Sequence, residues 1–166
     1  MGLSGIEVLF AGSNFSRLMG GLAVSVRVSS LALLIGIPAG VVLGALWTLP
    51  SRDVDLALRL YLEFFRIIPT LVLLFLAYYI LPRELGFRVD GETVAMAAFA
   101  LWIAAEMSDI VRGALISVPV VQVEGARALA LGRLQQLRYV QLPQSLNLMV
   151  PATINLATRV IKTTSL

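Results

Sequence analysis

VEGARALALGRLQQLRYVQLPQ, residues 123–144, carries Glu124, Arg127, Arg133 and Arg138 in a chain otherwise apolar enough to live in a bilayer. Ala126, Ala130, Leu134 and Leu137 fall at i, i+4, i+8 and i+11, so a helix here has one apolar face, with Arg127, Gln135 and Arg138 largely elsewhere. Gly132 interrupts it. A helix of this kind can lie on lipid headgroups, cap a bundle, or plug a groove on a soluble partner. The pattern alone leaves all three open.

The rest of the chain sets the context. Of 166 residues 58% are hydrophobic and only 14% charged, with a mean hydropathy of +0.89. A soluble globular domain carries roughly 25% charged residues, so the composition points to a membrane protein. No cysteine and no histidine is present, which removes disulfides, thiolate chemistry and the usual zinc ligand and general base. The net charge of +3 is too small on so apolar a chain to indicate nucleic acid. The first sixteen residues hold one charge, Glu7, and no basic region, so they read as a short helix on the membrane surface rather than a cleaved signal.

Four apolar segments are expected to cross, at about 18–50, 66–82, 93–118 and 139–161, the second being slightly short unless Arg66 and Arg83 snorkel to the two interfaces. A helix rises 1.5 Å per residue and a hydrocarbon core is roughly 30 Å thick. In the first, Gly36, Gly40 and Gly44 repeat every fourth residue and open one face to close helix approach. Between the first two, residues 52–66 mix both signs with Leu56, Leu60 and Phe64 at i, i+4 steps, as an interfacial helix does. Basic residues favour the 52–66 and 112–138 loops over the loop holding Arg83 and Arg88. The first two are therefore expected in the cytoplasm and the N-terminus outside.

The third span carries Glu106, Asp109 and Arg112 at successive i+3 steps. Charges inside a membrane are costly unless they pair or face protein or water. Asp109 and Arg112 are expected to form a structural ion pair, while Glu106 has no equally obvious partner. In the fourth span Asn147, Pro151, Asn155 and Arg159 recur every fourth residue, a polar stripe expected to face inward. The expected architecture is one all-α integral membrane domain over residues 1–166, with a cytoplasmic segment at 119–138.

At this point the residues carry a resemblance. QVEGARALALGRLQQLRYVQLPQ is similar to the cytoplasmic signature of bacterial ABC-importer permeases, which begins Glu-Ala-Ala, has a Gly six residues after the Glu and closes on Leu-Pro. Glu124, Ala126, Leu142 and Pro143 match. Gly125 stands where the first Ala is usual, and Ala130 where the Gly is usual. FRIIPTLVLLFLAYYILP, SDIVRGALISVPVVQVEGA and LATRVIKTTSL resemble further segments of the polar amino acid uptake branch, that of histidine, glutamine and glutamate permeases. In that comparison Asp109 takes the acidic position and Glu106 stands where an aromatic is usual.

The resemblance implies a type I ABC-importer fold of four transmembrane helices plus a coupling helix, with the branch's fifth and last span lacking from this sequence. It implies a multi-pass permease of the bacterial inner membrane with a periplasmic N-terminus. ATPase coupling would fall to Glu124, Gly125, Ala126, Arg127, Leu129, Ala130, Gly132, Arg133, Leu142 and Pro143. The substrate path would be lined by Glu106, Asp109, Asn147, Asn155 and Arg159. The implied partners are ABC ATPase subunits, a second permease copy or homologous permease, a periplasmic amino-acid-binding protein and membrane lipid, with no nucleic acid.

A chain worked by ATP needs a phosphate-cradling loop somewhere, and the pattern G-x-x-x-x-G-K-[ST] is absent from this sequence. No catalytic residue, metal or cofactor is therefore expected in this chain, ATP and magnesium being bound by the partner ATPase. The alternative is an ion-coupled secondary transporter or channel subunit, with Glu106 or Asp109 as a protonatable relay.

Overall fold

The computed structural model describes residues 12–80, 86 and 90–164; the surface helix expected over the first sixteen residues lies outside them up to residue 11, with residues 14–16 belonging to the first long helix, and Arg83 and Arg88 also lie outside them. Among the described residues there are helices and turns and no strand.

Helix α1, Asn14–Trp47, and helix α4, Gly91–Ile116, form the central pair. Their packing rests on the glycine repeat. A Cβ on Gly36 would stand 2.7 Å from Ile103 Cβ and one on Gly44 2.6 Å from the Ser108 carbonyl oxygen. One on Gly40 would stand 2.8 Å from the Ala104 carbonyl and collide with Met107. The partners advance together, Ile103, Met107 and Val111 against Gly36, Gly40 and Gly44, so the two helices run parallel. The chain must cross back between them.

That return is α2, Arg52–Ile67, and α3, Thr70–Phe75, continued by a π-helical turn, Leu76–Ile80. Ser51 caps α2, its hydroxyl accepting the Val54 N–H at 3.5 Å. Asp53 and Asp55 in its first turn and Arg66 in its last suit the helix dipole. Pro69 cannot continue the helix, and α2 and the 70–80 segment meet at 99°. Leu56, Leu60 and Phe64 point away from the core, as an interfacial helix requires, while Leu62 and Phe65 are buried. Asp90 caps α4, accepting from the Thr93 hydroxyl at 2.7 Å and the Thr93 N–H at 3.0 Å. Those two bonds hold its carboxyl below the usual range.

After α4, Pro119 starts α5, Val120–Ala128. A short α6, Arg133–Gln136, and a π-helical turn, Leu137–Gln141, lead into α7, Leu142–Thr163. Helix α7 runs antiparallel to α4. The Thr153 hydroxyl meets Met107 Sδ at 3.5 Å, and near its far end the Ser25 hydroxyl donates to the Thr164 carbonyl at 3.3 Å.

By length and composition α1 and α4 can cross a membrane, and the bent α2–α3 pair makes a third if it counts as one span. Helix α7 is 22 residues long, but Gln144, Asn147, Asn155 and Arg159 dilute its apolar content, and it is not among them.

Candidate functional site

Two charge clusters tie the bundle together. The deeper one centres on Glu106, a buried carboxylate on α4. Its Oε1 accepts from Arg66 Nε at 3.1 Å, and its Oε2 from Arg159 Nη2 at 2.8 Å. Arg66 Nη2 also donates to Asp109 Oδ2 at 2.7 Å, and the Arg159 guanidinium lies 5.1 Å from the centre of the Trp102 ring. Two acids and two arginines from α2, α4 and α7 thus compensate one another, the arrangement in which charges at membrane depth are tolerable.

The expected pairing within α4 is corrected here. Asp109 binds Arg66 rather than Arg112, and Glu106, thought to lack a partner, has two. Arg112 instead points to the end of the bundle, 3.8 Å from Asp55 and 4.9 Å from the centre of the Trp47 ring. There Asp55 also accepts from Trp47 Nε1 at 2.8 Å and from Arg59 at 3.3 Å. An i, i+3 pair competes poorly when partners on other helices can reach a carboxylate with their full guanidinium.

Arg66, Trp102, Trp47 and Asp55 are members that sequence reasoning missed. Arg66 read as a snorkelling interfacial residue. Its partners lie 40 and 43 residues away, beyond any helical period.

The polar stripe of α7 also requires correction. Asn147, Pro151 and Asn155 are exposed on the chain, and the buried face is Ser145, Met149, Leu156 and Val160. Of the stripe, Arg159 alone is tied to α4, and its side chain is still 53% exposed.

The segment between α4 and α7 is an elbow, not one helix. Helix α5 ends in a pair of reverse bonds, Leu131 N–H to the Ala126 carbonyl at 3.1 Å and Ala130 N–H to the Arg127 carbonyl at 2.9 Å. Ala130 adopts a left-handed φ of +54°, at the position where the signature usually has glycine. The bend therefore falls at Ala130, and Gly132 serves the next helix, its N–H donating to Gln135 Oε1 at 2.8 Å. The expected apolar face is thus broken at Ala130, two residues before the interruption expected at Gly132. Ala126 is buried, Leu137 half-buried, and Ala130 and Leu134 are exposed.

Glu124, Gly125, Arg127, Leu129 and Arg133 are exposed along the elbow, while Leu142 is half-buried where α7 begins, beside exposed Pro143. A cavity of about 440 Å³ separates the elbow from the end of α1, lined by Thr48, Leu49, Pro50, Arg127, Arg133 and neighbours.

Comparison with known proteins adds to this geometry. Residues 36–166 match the family described as binding-protein-dependent transport system inner membrane component. The chain is similar to the octopine transport system permease protein of Rhizobium radiobacter, 35% identical over 95% of this chain and 67% of that protein. It is also similar to a probable amino-acid permease protein of Bacillus subtilis, 32% identical over 97% of this chain and 73% of the other. Among solved structures, a crystal structure of an amino acid ABC transporter with histidines superposes with a TM-score of 0.85 at 25% identity, covering 99% of this chain and 75% of that one. An inward-facing methionine ABC transporter superposes with a TM-score of 0.61 at 23% identity, a likeness of fold.

Proposed function

The chain belongs to the family of binding-protein-dependent transport system inner membrane components, and on that premise we propose that it passes amino acids through the inner membrane as the permease subunit of an ATP-driven importer. ATP hydrolysis is the work of a separate subunit in this family. The observation that carries the reading is the elbow. An exposed segment bearing Glu124, Arg127, Leu129 and Arg133 is joined to α4 on one side and to α7 on the other, so a push on it is transmitted to both.

In this reading the elbow lies in the cytoplasm, docks in a groove of an ATPase that binds ATP and magnesium, and acts as a lever on α4 and α7. The N-terminus is then periplasmic, and a periplasmic amino-acid-binding protein delivers substrate. The outward polar face of α7 supports a second permease, a copy or a relative. Asn147, Asn155 and Arg159 are too polar for lipid and line a path between the two subunits, with Glu106 and Asp109 behind them. An ion-coupled carrier needs a carboxylate offered to a passing ion, whereas Glu106 is already engaged by two guanidiniums.

The test is uptake by membrane vesicles containing the chain and the proteins encoded beside it. Amino acid uptake is expected to require ATP and to survive collapse of the proton gradient, and an ATPase is expected to co-purify. Uptake driven by a proton gradient without ATP overturns the reading.

A further inference from the structure

The guanidinium of Arg159 offers five N–H donors. Among the described residues its polar and ring contacts are the single 2.8 Å bond to Glu106 and the approach to within 5.1 Å of the centre of the Trp102 ring. Its level in the bundle follows from Glu106, which precedes the end of α4 by ten residues, about 15 Å at the helical rise. That is roughly half the thickness of a hydrocarbon core. A cation at this depth with half its side chain exposed is expensive against lipid and cheap against water or an anion. Asn155 is exposed one helical turn away on the same face of α7 and adds a neutral amide beside it.

The acids of the cluster are already used. Glu106 has an arginine on each oxygen, and Asp109 is held by Arg66 at 2.7 Å. What Arg159 still presents to the outside is donor capacity, and a planar guanidinium held over an indole and tied to Glu106 is preorganised to bind a carboxylate with two parallel bonds.

We infer that Arg159 receives the carboxylate of the passing amino acid, with Glu106 and Trp102 as positioning residues that aim its guanidinium outward. The inference rests on the permease reading above and adds to it a chemical filter. Molecules with an α-carboxylate are held at mid-depth, and the corresponding amines are not. Glu106 binds no substrate in this account; it fixes the angle of Arg159 and neutralises part of its charge, so that the substrate can leave again.

The test uses the permease co-purified with its ATPase, in nanodiscs, carrying Trp47→Phe so that Trp102 is the only tryptophan of this sequence, and a matched Trp47→Phe/Trp102→Phe sample supplies the background emission of the ATPase and scaffold to be subtracted. The probes are the common L-amino acids, each beside the amine formed by removing its α-carboxylate. An imported amino acid is expected to change Trp102 emission saturably, and its amine to need a concentration at least about tenfold higher. Arg159→Met is expected to weaken the amino acid roughly 10- to 100-fold, the range for losing a charge-assisted bond, and to leave the amine unmoved. Arg159→Lys, which keeps the charge and loses the fork, is expected to fall between. Glu106→Gln keeps an oxygen for the guanidinium but removes the charge that tempers it, and is expected to widen the ratio between acid and amine, which a merely structural residue would leave intact.

Equal response to acid and amine in the wild type overturns the inference with no variant needed. So does an Arg159→Met protein that loses its second permease copy yet keeps its affinity, which makes Arg159 an interface residue. ATP-driven uptake by the wild type separates the two levels. If uptake is present and Arg159→Met leaves KM unchanged, the carboxylate role falls and the importer stands; if no amino acid moves on ATP, both fall.

Discussion

Arg66 on α2 and Asp109 on α4 are 43 residues apart in sequence and joined at 2.7 Å, Nη2 to Oδ2. Arg66 also reaches Glu106, so the return leg of the chain is fastened to the central helix just before Pro69 turns it through 99°. Without Arg66, Asp109 loses a close partner and Glu106 keeps only Arg159. The side chains of Arg66 and Asp109 are 43% and 36% exposed, so water moderates the loss to about 1–3 kcal/mol. Arg66→Met should lower the melting temperature of the purified protein. Asp109→Asn, alone and combined with Arg66→Met, completes a double-mutant cycle in which the double variant should lose less than the sum of the single losses, and strict additivity would argue against the pair.

The glycine repeat gives a sharper expectation. At Gly40 a side chain has no volume to enter, because the Met107 side chain and the Ala104 carbonyl already occupy it. Gly40→Val should force α1 from α4 at a cost of about 3 kcal/mol or more, since overpacking and lost contact add. At Gly20 and Gly21 a methyl group would have nothing within 4 Å, and alanine there should be neutral or stabilising by about 0.5–1 kcal/mol. Thermal unfolding in detergent distinguishes them. Equal losses at Gly40 and Gly20 would mean the repeat is not a packing face.

The elbow stores a small strain at Ala130. Its φ of +54° is a conformation in which a Cβ is unfavourable, and the reverse bonds from Leu131 and Ala130 hold it there. Ala130→Gly should therefore stabilise the elbow by about 1 kcal/mol, and Ala130→Val should destabilise it by more. Hydrogen exchange at the Leu131 amide reads the sign directly: protection should rise in the glycine variant and fall in the valine variant.

What the sequence made legible divides along the range of its signals. Gly36, Gly40 and Gly44 lie four residues apart on one helix, and their spacing was enough to expect the close face that α4 occupies. The break at Pro69 is local too, yet the second span was expected to run from 66 to 82 straight through it. The partners of Glu106 were not legible, because Arg66 and Arg159 reach it from 40 and 53 residues away across three helices. Helical spacing within α4 favoured Arg112 for Asp109, and the geometry chose otherwise. The polar stripe of α7 was legible as polar, but its direction was not. A residue too polar for lipid can be covered by its own chain or by another, and Asn147 and Asn155 turn outward.

The elbow itself separates a folding role from a docking role. Ala126 is buried at 3%, and helix α5 packs on the π-helical turn at Leu137–Gln141, so a large acid at Ala126 strikes the chain's own fold before it meets any partner. Leu129, by contrast, is 76% exposed at the tip, where a substitution touches little of this chain. Leu129→Asp should change stability by no more than about 0.5 kcal/mol, as surface changes do. Buried in an ATPase groove, the same carboxylate would be desolvated without a partner, at a cost of about 2–5 kcal/mol to the complex. ATPase retained on the purified permease should then drop by at least about tenfold in Leu129→Asp while its melting temperature stays put, whereas Ala126→Glu should lose both. Full ATPase retention by a well-folded Leu129→Asp protein would place the contact elsewhere on the elbow, and retention by the further variant Arg133→Glu as well would remove the elbow from the interface altogether.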